Sequence, residues 1–170
     1  NYLKINTFKH GKHTINKNTK KKIKALIVLH TFGHPAELNE LLKISKDYNI
    51  KLIEDAAEAI GSMYYGYHVG TFGHSGVLSF NGNKTISTGN GGMLLTNSKQ
   101  IYLHAKKLAS ISKKIHPWKY DYDGLGYNYK LSNINAAIGC AQMENINLIL
   151  KKKRSLFYRY KKRIQKFDGV

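Results

Sequence analysis

Ala25-Leu26-Ile27-Val28-Leu29-His30 and Lys51-Leu52-Ile53-Glu54-Asp55 are the two stretches whose reading decides the fold. The first is a continuous apolar run, the pattern of a buried parallel strand rather than of a strand with one wet face. Gly33 breaks it, and Pro35 suits the first turn of a helix. Leu38, Leu41, Leu42, Ser45 and Tyr48 then recur at helical spacing, with Asn49 as the stop signal. The second run follows at once. Strand, helix and strand within about thirty residues is the length of a βαβ unit.

Working outward, Gly61 to Gly76 is rich in glycine and tyrosine and reads as loop. Val77-Leu78-Ser79-Phe80 and Met93-Leu94-Leu95-Thr96 read as two short strands joined by a glycine-rich loop that carries Lys84. A helix is expected from Ser98 to about Ser112, then an irregular stretch over 113–131 containing Pro117 and Trp118. Ser132 is placed to cap a helix in which Ile134, Ala137, Ile138 and Ala141 share a face. Helical spacing continues through Leu148, Leu156, Tyr160 and Ile164. Residues 1–24 are polar and basic and read as a hairpin or exposed loop leading into the domain. No internal repeat is visible.

The chain has 170 residues, 42% of them hydrophobic, enough for a domain with its own core. Its single cysteine, Cys140, forbids an intrachain disulfide and reads as a packing residue in a helix. No uninterrupted apolar run is long enough to span a bilayer and the first residues do not form a signal peptide, so a cytoplasmic location is expected. A formal net charge of +18 would suit nucleic acid, acidic lipid or a phosphorylated small molecule. The lysines are spread widely, however, and no recognition-helix, zinc-finger or ribonucleoprotein signature accompanies them. Solvated charged faces are the reading, with neither nucleic acid nor membrane as a partner. The eight histidines show no metal-ligand spacing; His30 and His34 are separated by a glycine and followed by a proline.

The chemistry concentrates at strand ends, where open α/β sheets bind ligands. Asp55 ends an apolar strand and is followed by the small residues Ala56 and Ala57. A carboxylate there can form a charge-assisted hydrogen bond to a protonated ring nitrogen, or it can cap the next turn. Lys84 lies beyond the following strand with Gly82, Gly89, Gly91 and Gly92 around it. A partly deprotonated amine condenses with an aldehyde and can then shuttle a proton; a solvated loop lysine does neither. Ser79 and Asn128 can each donate to a phosphate, or each can end a strand or a turn. A carboxylate at an earlier strand end, a hydroxyl and then a lysine suggest pyridoxal phosphate (PLP) chemistry.

The segments Glu54-Asp55-Ala56-Ala57-Glu58-Ala59-Ile60-Gly61-Ser62, Gly70-Thr71-Phe72-Gly73, Ser79-Phe80-Asn81-Gly82-Asn83-Lys84-Thr85-Ile86 and Thr88-Gly89-Asn90-Gly91-Gly92-Met93 occur in that order. Gly126-Tyr127-Asn128-Tyr129-Lys130-Leu131-Ser132-Asn133 and Ala136-Ala137 follow. Jointly they resemble the DegT/DnrJ/EryC1/StrS family of nucleotide-sugar aminotransferases, from about Ala25 to about Arg163. The His30-Thr31-Phe32-Gly33-His34-Pro35 opening looks most like the legionaminic-acid-type branch.

The resemblance implies an α/β fold: part of the large domain of a type I PLP-dependent transferase, a mostly parallel sheet flanked by helices and truncated at both ends. Residues 25–145 would be the central part of that domain, and 146–170 a long helix leading toward a C-terminal small domain. It implies pyridoxal 5'-phosphate as cofactor, a nucleotide-sugar substrate, an amino-acid donor such as glutamate, and a homodimer. By motif match Lys84 would be the catalytic lysine that holds the cofactor and Asp55 the pyridinium partner. Ser79 would bind the phosphate, Ala57 would lie against the ring, and Glu58 would face the phenolic oxygen. Asn128 would reach the phosphate of the neighbouring subunit. Many members carry His or Gln where Glu58 stands, and Arg where Lys130 stands. Dehydratase relatives carry histidine in place of the lysine, so Lys84 favours transamination over sugar dehydration; an inactive truncated remnant is the other alternative.

Overall fold

The computed structural model describes residues 1–114, 116–165 and 167, which form two compact units. The first comprises Asn1–Leu78 and Gly92–Lys130; the second comprises Ser79–Gly91 and Leu131–Val170.

The first unit is built on the expected βαβ arrangement. Strand β3 (Ala25–Leu29) pairs in parallel with β4 (Lys51–Asp55), Val28 opposite Glu54 and Leu29 opposite Asp55. Strand β4 pairs in parallel with β7 (Ser75–Ser79), and β8 (Gly92–Leu95) completes the order β3-β4-β7-β8. Between β3 and β4 runs α2 (Leu38–Asp47), whose Leu38 is fully buried. Leu38, Leu52, Ala56, Ala59 and Val69 form the core, with Leu26, Val28, Leu41, Leu42, Tyr64, Phe72 and Leu78 packed around it. The helix stops as expected. Asn49 adopts φ +48, its N–H bonds to the Lys46 carbonyl, and the Ile50 N–H reaches the Ser45 carbonyl. These are the paired bonds of a Schellman motif.

Several expectations change. Pro35 precedes α2 instead of opening it: the helix begins only at Leu38, and the Ala36 N–H bonds His30 Nδ1. The apolar run of β3 is buried on one face only: Leu26 and Val28 meet the core, while Ile27 and Leu29 are 69% and 51% exposed. The tyrosine-rich loop contains a small hairpin, β5 (Met63–Tyr64) with β6 (Tyr67–His68). Its turn residues Tyr65 and Gly66 both take positive φ, which suits the twist of a two-residue hairpin. The basic N-terminal segment holds α1 (Tyr2–Asn6) and a hairpin, β1 (Thr7–His10) with β2 (His13–Asn16). Thr14 bonds the Tyr48 carbonyl and Asn49 Nδ2 the Lys12 carbonyl, tying the hairpin to the end of α2.

Glu54 is fully buried and fully satisfied. Its Oε1 accepts the N–H groups of Phe72 (2.7 Å) and Gly73 (2.6 Å). Its Oε2 accepts Gly70 N–H (2.7 Å) and His30 Nε2 (3.0 Å), and His30 is itself fully buried. Because His30 Nδ1 accepts from Ala36, the ring proton sits on Nε2 and points at the carboxylate.

After β8 comes α3 (Lys99–Ala109), capped by Ser98, whose side chain accepts the Ile101 N–H. The second unit contains α4 (Asn133–Glu144), capped by Ser132, and α5 (Ile146–Ile164), the two separated by a break at Asn145.

Replacing Glu54 by Gln turns an amide NH₂ toward inward-pointing donors. We expect a loss of about 3 kcal/mol by urea unfolding, the range for breaking a buried, charge-bonded network. His30→Gln, which keeps a donor, should cost less. In the same unit, burial first and Lys51 second lower the His74 pKa below the ordinary histidine value. The unfolded chain therefore takes up this proton first, so His74 disfavours the folded state as pH falls through about 6.5 and contributes nothing above it. A histidine NMR titration should give His74 a depressed midpoint, and Lys51→Gln should raise it.

Candidate active site

In the first unit the side-chain alternation of β4 separates two neighbouring carboxylates. Leu52 and Glu54 point into the core, and Asp55 falls on the opposite face at the carboxyl end of the strand. Its backbone is fixed on both sides: the Asp55 carbonyl accepts His30 N–H (3.0 Å), and Ala56 N–H bonds the Val77 carbonyl (3.0 Å). Asp55 Oδ1 accepts the N–H of Ala57 at 3.1 Å. The capping role open to a strand-terminal Asp is thus realised through one oxygen. Ala57 is partly exposed beside it.

Glu58, one residue further, reaches back across the end of β3. Its Oε2 accepts the Phe32 N–H at 3.0 Å. Phe32 stands at φ +51, a strained backbone for a bulky residue, and its side chain is 90% exposed. Gly33 follows at φ +80, and a Cβ there would lie 2.9 Å from the Glu58 carbonyl oxygen, so the tight turn requires glycine. Ser62 Oγ donates to the Gly33 carbonyl at 2.6 Å. Asp55, Ala57 and Glu58 are therefore brought together on one short segment, with the Thr31–Gly33 turn locked against it.

Lys84 and Ser79 belong to the second unit. Lys84 is partly buried and its N–H closes a turn onto the Asn81 carbonyl at 3.0 Å. Asn81 N–H points at Ser79 Oγ, 3.4 Å away. Two backbone bonds close the base of the loop: Phe80 N–H to the Gly91 carbonyl, and Thr88 N–H to the Phe80 carbonyl, both 3.0 Å. Ile86 and Thr88 are buried. Helix α4 holds the loop by amide side chains. Gln142 accepts Ser87 N–H at 2.9 Å and donates to the Ser87 carbonyl, and Asn135 Nδ2 donates to the Thr88 carbonyl. Gly139 lets the helix approach, since a Cβ there would stand 3.0 Å from Thr88 Cγ2.

This reverses the face assigned to α4 from its apolar spacing. Asn135, Ala136, Gly139 and Gln142 are the partly buried side, while Ile134 is 76% exposed and Cys140 is exposed rather than packed. Side-chain amides that satisfy loop backbone carry no hydrophobic period, so the pattern could not reveal them. Gln142 and Asn135 are the positioning residues that sequence reasoning missed; Glu54 and His30 are their counterparts in the first unit. Among the described residues no group of three or more His, Cys, Asp or Glu could hold a metal ion. No described helix is long and apolar enough to cross a membrane.

Asn128 lies elsewhere in the first unit, bridged through its backbone to Ser110 and flanked by the stacked rings of Tyr127 and Tyr129, 5.1 Å apart. It lines a cavity that Asp55, Ala57 and Glu58 do not line.

Residues 3–170 match the DegT/DnrJ/EryC1/StrS aminotransferase family. The chain is 42% identical over 149 residues to a GDP-perosamine synthase of Escherichia coli O157:H7, covering 88% of this chain and 41% of that protein. It is 35% identical over 147 residues to a UDP-4-amino-4,6-dideoxy-N-acetyl-beta-L-altrosamine transaminase of Campylobacter jejuni, covering 85% and 39%. Among solved structures it superposes with TM-score 0.82 and 25% identity on Helicobacter pylori PseC, an aminotransferase involved in the biosynthesis of pseudoaminic acid, over 85% of this chain and 39% of that one. The chain thus spans about two fifths of the length of the relatives it matches. A mostly parallel α/β sheet, an ordered set of glycine and strand-end motifs and a match along nearly the whole sequence agree: this chain belongs to the DegT/DnrJ/EryC1/StrS aminotransferase family.

Proposed function

We propose that this chain is part of a PLP-dependent aminotransferase that moves an amino group from an amino acid, glutamate being the favoured donor, to a keto group on a nucleotide-linked sugar. The observation that carries the reading is Lys84 itself, on a glycine-flanked loop fastened by Gln142 and Asn135. Amino-sugar synthases among the relatives support the substrate class. The product would serve surface polysaccharide or glycan assembly in the cytoplasm, by a homodimeric enzyme.

The residues fit the cofactor chemically. Asp55 spends Oδ1 on Ala57 N–H, and its charge suits a protonated ring nitrogen. Ala57 adds little bulk where a flat ring would lie. Ser79 and Asn128 offer donors to a phosphate, and Lys84 offers the amine. When bound, the cofactor supplies the electron sink that makes the amino-bearing carbon acidic. Lys84 would then move a proton to and from that carbon, as base and then as acid. Asp55 would hold positive charge at the ring. Glu58, whose Oε2 accepts the Phe32 amide, would set the polarity at the phenolic oxygen. The lysine also distinguishes this reading from sugar dehydration, which would give loss of a hydroxyl without gain of an amine.

Borohydride reduction of the PLP-treated full-length protein, followed by digestion and mass spectrometry, should place a pyridoxyl adduct on Lys84. Lys84→Ala should lower kcat by roughly 10³-fold or more, the scale of a lost general acid–base; an unaltered rate would end the proposal. Gln142→Leu should reduce activity by a smaller factor, about tenfold, with the adduct site unchanged, because it loosens the loop without touching the amine.

A further inference from the structure

Residues 1–24 contain eight lysines, two histidines and no aspartate or glutamate, and the first acidic residue of the chain is Glu37. Eight of the +18 formal charges thus come from 24 of 170 residues. All eight lysines are exposed, and none takes part in a described ion pair. Like charges this close repel one another, and no carboxylate within the segment offsets them. In the sequence these lysines read as part of a widely spread, solvated charge; the structure gives them a fixed shape.

The two sides of the β1–β2 hairpin differ. Thr7 and Thr14 are buried, and Thr14 bonds the Tyr48 carbonyl, so their side is turned to the end of α2. Residues alternate sides along a strand, and directly paired residues share a side. The outward side therefore carries Phe8 opposite Ile15 and His10 opposite His13. Lys22 bridges to Ile15 and extends that row, and the Lys20 amine stands 5.9 Å from the centre of the Phe8 ring. The connection from β2 to Lys22 is held by its own bonds. Asn16 Oδ1 accepts the N–H groups of Asn18 and Thr19, both at 2.9 Å, and Ile23 N–H reaches the Thr14 carbonyl at 2.9 Å. Helix α1 is fastened to the same hairpin: Lys17 N–H bonds the Asn6 carbonyl, and Asn16 Nδ2 donates to the Tyr2 hydroxyl at 3.1 Å. Tyr2 and Ile5, three residues apart and so on one side of α1, are 62% and 65% exposed, and Phe8 is 42% exposed.

Exposed apolar side chains set among unpaired amines suit a partner that is anionic at its surface and apolar just beneath. A leaflet of anionic lipid has both layers: phosphates for the amines, and an acyl boundary for Tyr2, Ile5 and Phe8. A nucleic-acid strand could stack a base on Phe8 or Tyr2, but it would leave Ile5 without a role. We propose that α1 and the outward side of β1–β2 form a peripheral docking surface for an anionic lipid bilayer, with Lys20 and Lys22 on headgroup phosphates and Phe8 at the acyl boundary. The surface needs neither the cofactor nor the sugar, so it stands apart from the aminotransferase reading.

Full-length protein would be sedimented with vesicles of phosphatidylglycerol and phosphatidylethanolamine in equal parts, and with vesicles of phosphatidylcholine alone, at low and high salt. Binding to the anionic vesicles only, released by salt, is expected. Lys20→Gln with Lys22→Gln should weaken it roughly tenfold or more, because each amine near an anionic leaflet adds to the attraction. Lys20→Arg with Lys22→Arg should retain it, which separates lost charge from a folding defect. Phe8→Ser should weaken binding several-fold while its salt dependence persists, a loss that a purely electrostatic contact would not show. Removing two charges from α5, Lys151→Gln with Lys152→Gln, should have little effect, and turnover of a soluble substrate should be unchanged in the Lys20 and Lys22 glutamine pair. Absence of sedimentation with the anionic vesicles at low salt overturns the proposal. So does an equal loss in the α5 pair, or unchanged affinity in Phe8→Ser. Tighter binding of a single-stranded oligonucleotide than of vesicles at the same salt also overturns it, and assigns the surface to nucleic acid. Lys84→Ala should bind vesicles like the parent whatever its activity, so the docking surface and the aminotransferase reading fail separately.

Discussion

The buried carboxylate of Glu54 is the constraint on which the first unit depends. Taking an ion out of water costs several kcal/mol, and only a full set of donors offsets it. Glu54 has that set: three backbone amides from Gly70, Phe72 and Gly73, and the ring N–H of His30. The dependence runs both ways, since those amides would otherwise be donors without acceptors next to the core. A strand end, a loop and the end of the neighbouring strand are thereby joined at one point. Because successive strand residues face opposite ways, an inward Glu54 obliges Asp55 to face outward. The carboxylate offered to chemistry is placed by the one that is withheld from it.

The second unit reaches the same end with neutral groups. A glycine-rich loop has little side-chain surface to bury, so it needs another way to hold a shape. Gln142 closes a two-way bond with the Ser87 backbone, and Asn135 takes the next carbonyl. A neutral amide offers a donor and an acceptor together, which a carboxylate does not, and it needs no compensating charge. Gly139 supplies the clearance. The lysine is thus carried on a loop whose flexibility is removed by a helix rather than by its own packing.

The βαβ frame was legible because hydrophobic period, turn glycine and left-handed asparagine all operate locally. The positions of β7, β8, α3 and the Ser132 cap followed from the same signals. What escaped reading was whatever depends on partners distant in sequence. In the sequence His30 reads as the end of an apolar run without metal-ligand spacing, yet its role is set by Glu54 and Ala36. Ile134 and Ile138 looked like the packing face of α4, yet the packed side carries two amides and a glycine. Ile27 and Leu29 looked buried, since an apolar run does not say which of its faces this stretch of chain covers. For the candidate site, the motif order gave Asp55, Glu58 and Lys84 as candidates, while the Phe32 latch required coordinates, because a main-chain N–H leaves no mark on residue type.

The same division accounts for the charge. The chain has only 10 acidic residues against 28 lysines and arginines, and several of those acids are committed to internal contacts. Glu54 is consumed in the core, Asp55 and Glu58 hold backbone amides, and Asp121 and Asp123 each steady a lysine. Helix α5 carries eight basic residues and no acidic one. The positive excess is therefore a property of the solvent-facing surface, where it adds little to stability and is screened beyond about 8–10 Å at ordinary ionic strength. Its physical effect is on encounter: a cationic surface raises the arrival rate of a polyanion without selecting among polyanions.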